Sequence, residues 1–146
     1  SDPAACQRLI DATVERFGRL DILVNNAGHG IMKPMAEMTV QEWQAQIDVN
    51  LGGVFYSSKA ALAHLSATGD GFLINIASLA ARNPFAGGTG YNASKFGLLG
   101  LTEAMMQDIR HDDVRVSLVM PGSVNNDQGP ACCRVRFFQR ARRRIS

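Results

Sequence analysis

Tyr91 and Lys95 stand four residues apart in the run Tyr-Asn-Ala-Ser-Lys. On a helix that spacing puts the phenol and the ammonium on one face. An ammonium beside a phenol favours the phenolate, and the positive end of a helix that starts near Tyr91 acts in the same direction. Thirteen residues before the tyrosine, Ser78 ends the apolar run Phe72–Ala77, and a glycine-containing loop joins the two. A phenol tuned by a lysine, with a hydroxyl on the preceding turn, is a device for moving a proton to or from an oxygen atom.

The neighbouring segments must hold these groups. Three short apolar runs, Ile22–Val24, Phe72–Ala77 and Val114–Met120, have the length and composition of buried strands. Helical patterns alternate with them. Asp2-Pro3 opens a helix that Gly18 closes. Thr39-Val40-Gln41-Glu42 fits a capping box and starts a helix running to about Leu65. A third helix runs from Tyr91 to about Asp108, and its Gly97 and Gly100 leave a thin side for close helix contact. The order helix, strand, helix, strand, helix, strand predicts an α/β fold, a partial doubly wound parallel sheet of Rossmann type with right-handed crossovers. Each strand is followed by a polar or glycine-rich cluster: Asn25-Asn26-Ala27-Gly28, Ser78, and Pro121-Gly122. In an open α/β sheet ligands bind at the carboxyl ends of the strands, so these clusters should meet at one edge.

Two features allow two readings each. Asn-Asn-Ala-Gly is either a polar turn after a strand or a place where asparagines satisfy the neighbouring strand and small residues let a ligand approach the backbone. Asn50, followed by Gly52-Gly53, interrupts the apolar face of the second helix. It marks either a kink where helices pack closely or a polar group kept for proton relay. His29 has no partner at metal-ligand spacing and reads as a loop residue. Cys6, Cys132 and Cys133 are odd in number and lack ligand spacing, which fits a reducing, cytoplasmic setting without a disulfide framework. No apolar run approaches the ~20 residues of a membrane span, so no membrane partner is expected.

Taken together, Asn-Asn-Ala-Gly, Asn50, Ser78, Tyr-x-x-x-Lys and the later Pro-Gly strongly resemble the short-chain dehydrogenase/reductase family. The resemblance covers about Asp2 to Asn126 and points to the branch with 3-oxoacyl-carrier-protein reductases and glucose dehydrogenases. It implies an enzyme that interconverts a secondary alcohol and a ketone with NAD or NADP. By the same resemblance, Tyr91 is the general acid or base. Lys95 assists it and holds the nicotinamide ribose, Ser78 orients the substrate oxygen, and Asn50 holds a relay water. Asn26, Ala27 and Gly28 would lie against the adenosine-side ribose, and Pro121, Gly122 and Val124 against the nicotinamide end. The resemblance also implies a homo-oligomer built through the second and third helices.

Two departures qualify these expectations. No glycine-rich dinucleotide fingerprint occurs before Asn25. Residues 1–126 therefore read as the C-terminal portion of an NAD(P)-binding domain, with the strand at Ile22–Val24 left as an edge. Beyond Asn126 the composition changes. Residues 1–126 carry nine basic and twelve acidic side chains, whereas 127–146 carry six arginines against Asp127. This tail has neither strand alternation nor a clear amphipathic helix. It reads as a disordered segment outside the family pattern, with out-of-frame translation of a GC-rich gene as its source. Two other functions remain: a catalytically silent remnant that keeps the site residues by descent, or a nucleic-acid- or surface-binding protein that uses the arginines.

Overall fold

Local signals in the chain set where its elements begin and end. The computed structural model describes residues 1–122 and the backbone of residues 135–139. Helix α1 (Pro3–Phe17) starts where the Asp2 carboxylate accepts the Ala4 N–H at 2.9 Å. It ends where Gly18 takes a left-handed conformation (φ 79°) that lets its N–H reach the Val14 carbonyl. Helix α2 (Val40–Ile47) has the full capping box, Thr39 Oγ1 accepting the Glu42 N–H and Glu42 Oε2 accepting the Thr39 N–H.

The remaining elements are β1 (Ile22–Asn25), α3 (Gly53–Ala67), β2 (Gly71–Ile76), α4 (Thr89–Asp108), β3 (Val114–Pro121) and β4 (Val135–Gln139). They form one sheet in the order β1-β2-β3-β4. Strands β1, β2 and β3 pair in parallel, with Asn25 opposite Asn75 and Ile76 opposite Val119. Helices α3 and α4 lie in the two crossovers, as parallel connections require. The α/β reading and its three strands are therefore present.

Two expectations change. The second helix is not one continuous α-helix. A π turn at Asp48–Gly52 separates α2 from α3, and Asn50 sits buried inside it. The extra residue in that turn rotates the asparagine relative to the apolar stripe, and such turns often mark functional positions. The tail was expected to lack a strand, yet Val135–Gln139 pairs antiparallel with β3, Phe137 opposite Val119. Its arginines concealed the pattern, because a strand at a sheet edge needs only backbone pairing on one side. The rest of 127–146 lies outside the described residues.

The core has two parts. One gathers Ile10, Leu65, Leu73, Met106 and Val116 between α1, α3, α4 and the sheet, and the other Val54, Leu98, Leu118 and Met120 nearer the strand ends. Strand β1 is the parallel edge, and its Ile22 and Val24 are 55% and 51% exposed. Gly71 begins β2 against the end of α3. A Cβ there would lie 2.5 Å from the Leu65 carbonyl oxygen, a backbone atom that cannot swing aside. Gly71→Ala is expected to cost about 1–3 kcal/mol, read as a lower urea midpoint. An unchanged midpoint would show that the strand end can shift freely.

Candidate active site

The carboxyl ends of the parallel strands and the head of α4 converge as the order of elements requires. Ser78 follows β2 directly, in extended conformation, and caps a short 3-10 turn (Leu79–Ala81) by accepting the Ala80 N–H at 3.1 Å. One lone pair is thus occupied, while the hydroxyl hydrogen remains available to a substrate oxygen. Asn92, beside Tyr91, ties this turn to α4. Its Nδ2 donates to the Ala80 carbonyl at 2.8 Å and its Oδ1 accepts the Phe85 N–H at 3.3 Å.

Lys95 is 5% exposed, and its Nζ donates to the Ile76 carbonyl at 3.1 Å. The ammonium lies 5.7 Å from the centre of the Tyr91 ring. Burial pulls the Lys95 pKa below its ordinary value of 10.5. Only one of its three N–H groups is used by Ile76, which leaves donors for a bound diol.

Asn50 faces the same space. Its Nδ2 donates to the His29 carbonyl at 2.8 Å and to Ser94 Oγ at 2.9 Å, while its Oδ1 accepts the His29 N–H at 3.0 Å. The side chain thereby clamps the loop after β1 against α4. Gly28 lies at the meeting point. A Cβ there would sit 3.0 Å from Asn50 Oδ1 and 3.5 Å from Lys95 Nζ. Gly30 plays the same part for the tyrosine, since its Cβ would come within 2.9 Å of Tyr91 Cδ2. His29 contributes its backbone, which agrees with its reading as a loop residue.

Ser78, Tyr91, Lys95, Asn50 and the Asn26-Ala27-Gly28 loop thus all lie at the strand-end edge of the sheet. Pro121 and Gly122 end β3 at that edge. Val124 lies outside the described residues. Sequence reasoning passed over Asn92, Ser94 and Gln46, whose Oε1 accepts the Ile31 N–H at 2.9 Å. These residues hold loops rather than reactants. Their signal was faint: polar side chains at helix positions that proved to be buried. Among the described residues no group of three or more His, Cys, Asp or Glu is placed to hold a metal ion. No described helix is long and apolar enough to cross a membrane.

The short chain dehydrogenase family model matches residues 1–130, and the chain belongs to that family. It is 42% identical over 115 residues to the trans-4-hydroxycyclohexanecarboxylate dehydrogenase of Sinomonas cyclohexanicum, covering 79% of this chain and 44% of that one. It is 37% identical over 120 residues to the 3-oxoacyl-[acyl-carrier-protein] reductase of a Synechocystis strain, covering 82% and 49%. Among solved structures, a metagenomic short-chain oxidoreductase in complex with NADP aligns with TM-score 0.78 at 41% identity, over 84% of this chain and 56% of that one. Carveol dehydrogenase from Mycobacterium avium in complex with NAD aligns with TM-score 0.78 at 34% identity, over 82% and 44%. The chain spans about half the length of the curated relatives it matches.

Proposed function

We propose that this chain carries the proton-handling part of an NAD(P)-dependent oxidoreductase that interconverts a secondary alcohol and a ketone. The observation that carries this reading is the buried Lys95 ammonium, anchored on the Ile76 carbonyl beside the Tyr91 ring. Burying a charge is costly, and a purely structural lysine would face water. Tyr91 gives a proton to the carbonyl oxygen in reduction and takes it back in alcohol oxidation. Ser78 orients that oxygen through its free hydroxyl hydrogen. Lys95 keeps positive charge beside the phenol and offers its unused N–H groups to the nicotinamide ribose. Asn50 Oδ1 retains an acceptor site next to Lys95, suited to a relay water. Asn26, Ala27 and Gly28 would face the adenosine-side ribose, and Pro121, Gly122 and Val124 the nicotinamide end. The nicotinamide, when bound, supplies or accepts the hydride. Relatives described with NADP and with NAD both occur, so either nucleotide fits this reading.

The partner of the reaction is a small carbonyl or alcohol compound. A homo-oligomer would form through α3 and α4. Phe55 and Phe96 are exposed there, and a shallow apolar groove lies between Leu51, Tyr56, Gly97 and Leu101.

The test is direct. NADH and NADPH are titrated against the purified chain while nicotinamide fluorescence is followed. Saturable binding that weakens in Lys95→Ala is expected. Absence of binding up to millimolar nucleotide would overturn catalysis by this chain and favour the second reading, a catalytically silent member of the family. Gly30→Val offers a steric check. Its side chain would push the Tyr91 ring aside, and misplacement by about 1 Å can cost about 10²-fold in turnover. Unchanged turnover in a folded Gly30→Val protein would argue against Tyr91 as the proton donor.

A further inference from the structure

We propose that the buried hydrogen-bonded chain Asn25–Asn75–Thr102 sets the position of Lys95, which makes these three positioning residues for the site. The proposal rests on the reading of Lys95 given above. The three side chains cross the fold from β1 through β2 to α4. Asn25 Nδ2 donates to Asn75 Oδ1 at 2.8 Å and to Ser58 Oγ at 3.0 Å. Ser57 Oγ donates to Asn25 Oδ1 at 2.7 Å. Asn75 Nδ2 donates to Thr102 Oγ1 at 2.9 Å, and Thr102 Oγ1 donates to the Leu98 carbonyl at 2.7 Å. Asn25, Asn75 and Thr102 are all buried, so each bond must be made inside the protein.

The placement of these bonds joins them to the lysine. Asn75 immediately precedes Ile76, whose carbonyl holds Lys95 Nζ. Asn25 immediately precedes the Asn26-Ala27-Gly28 loop, and Gly28 walls the other side of that ammonium. Thr102 lies seven residues, two helical turns, beyond Lys95 and so on the same side of α4. Asn25 and Asn75 are also directly opposite in the strand register. The gap that receives Lys95 is therefore bounded by two backbone segments that each follow an asparagine of the chain, Ile76 directly after Asn75 and Gly28 three residues after Asn25. The helix that delivers the lysine is pinned to one of those asparagines. Apolar packing alone allows small sliding of a helix over a sheet, whereas directional buried bonds select one register.

Lysine NMR tests this without any need for turnover. The chain contains three lysines, Lys33, Lys59 and Lys95, and selective 13Cε labelling makes the titration of Lys95 readable. Facing its Nζ are the Tyr91 ring on α4, the Ile76 carbonyl on β2 and Gly28 beside Asn50. Tyr91 is the ionisable group among these. In Thr102→Val the Lys95 midpoint is expected to move up toward that of an ordinary lysine, as the loosened ammonium gains water. Thr102→Ser keeps the hydroxyl and should restore the original midpoint. Met106→Ala, in the apolar core, should lower the melting temperature and leave Lys95 unmoved. A folded Thr102→Val chain with reduced melting temperature and an unchanged Lys95 midpoint would overturn the proposal and leave a merely structural polar core. If Thr102→Val does not fold, Ser58→Ala, which removes one acceptor of Asn25, decides by the same midpoint. A nucleotide-binding failure would overturn the catalytic reading and leave this measurement standing.

Discussion

Tyr91→Phe is expected to lower turnover by about 10²–10⁴-fold, the usual worth of a positioned general acid or base. The substitution removes one oxygen atom and leaves the ring that packs against Gly30 and lies near Lys95. Lys95 keeps its bond to the Ile76 carbonyl, so the donors offered to a ribose are unchanged. The loss should therefore fall on kcat, with nucleotide affinity by fluorescence titration close to that of the parent protein. Turnover that survives the loss of the hydroxyl would remove Tyr91 from the mechanism. Weakened nucleotide binding with undiminished turnover per bound nucleotide would recast the residue as a binding group.

Lys95→Met separates function from folding more sharply. The methionine fills much of the volume of the lysine stem and carries no charge. Replacing a buried ammonium by an apolar chain of similar size leaves stability unchanged or raises it. Nucleotide binding and turnover should both collapse, because the donors to the ribose and the charge beside the phenol disappear together. The pH dependence of stability supplies an independent readout. Burial lowers the native pKa of Lys95 below 10.5. Between the native value and 10.5 the unfolded chain binds the proton more readily than the native one. Stability must then rise with pH across that window, while the cost of the buried charge is felt in full below it. In Lys95→Met this contribution to the rise should be absent. Urea denaturation of both proteins up to about pH 10, close to the lysine reference value, tests the point. Parallel curves would mean that Lys95 is not held as a buried ammonium.

The two variants probe different layers of the same site. On the proposed reading Tyr91 acts through one atom, its hydroxyl oxygen. Lys95 sits where helix, strand and loop meet, so its position depends on groups that never touch a substrate. Asn50 belongs to this second kind. Its amide is committed on three sides to His29 and Ser94, so it secures the loop that carries Gly28 and Gly30.

Much of this was legible in the residues. Glycine at position 18, the Thr39–Glu42 box and the apolar runs at Ile22, Phe72 and Val114 announce their elements through local chemistry, and local chemistry survives into the fold. The tyrosine and lysine announce themselves by helical spacing, and the serine by its place at a strand end. Other features were illegible for a physical reason. The π turn around Asn50 packs with α2 against α4, and neither propensity nor periodicity encodes such a long-range contact. The pairing of Val135–Gln139 with β3 is a long-range backbone contact that its side chains do not advertise.

By itself, then, the order of residues determined the parallel α/β plan and the edge at which the polar clusters gather, and it singled out Ser78, Tyr91 and Lys95 as candidates. Only the tertiary structure decided that Asn25, Asn75 and Thr102 form one buried chain across β1, β2 and α4. The two bonded pairs lie 50 and 27 positions apart in sequence. No local pattern links the three: Asn25 in Asn-Asn-Ala-Gly can be read as satisfying a neighbouring strand, but nothing points to Asn75 and Thr102 as the groups it joins. What joins them is burial, which removes water as a partner and leaves one another as the donors and acceptors within reach.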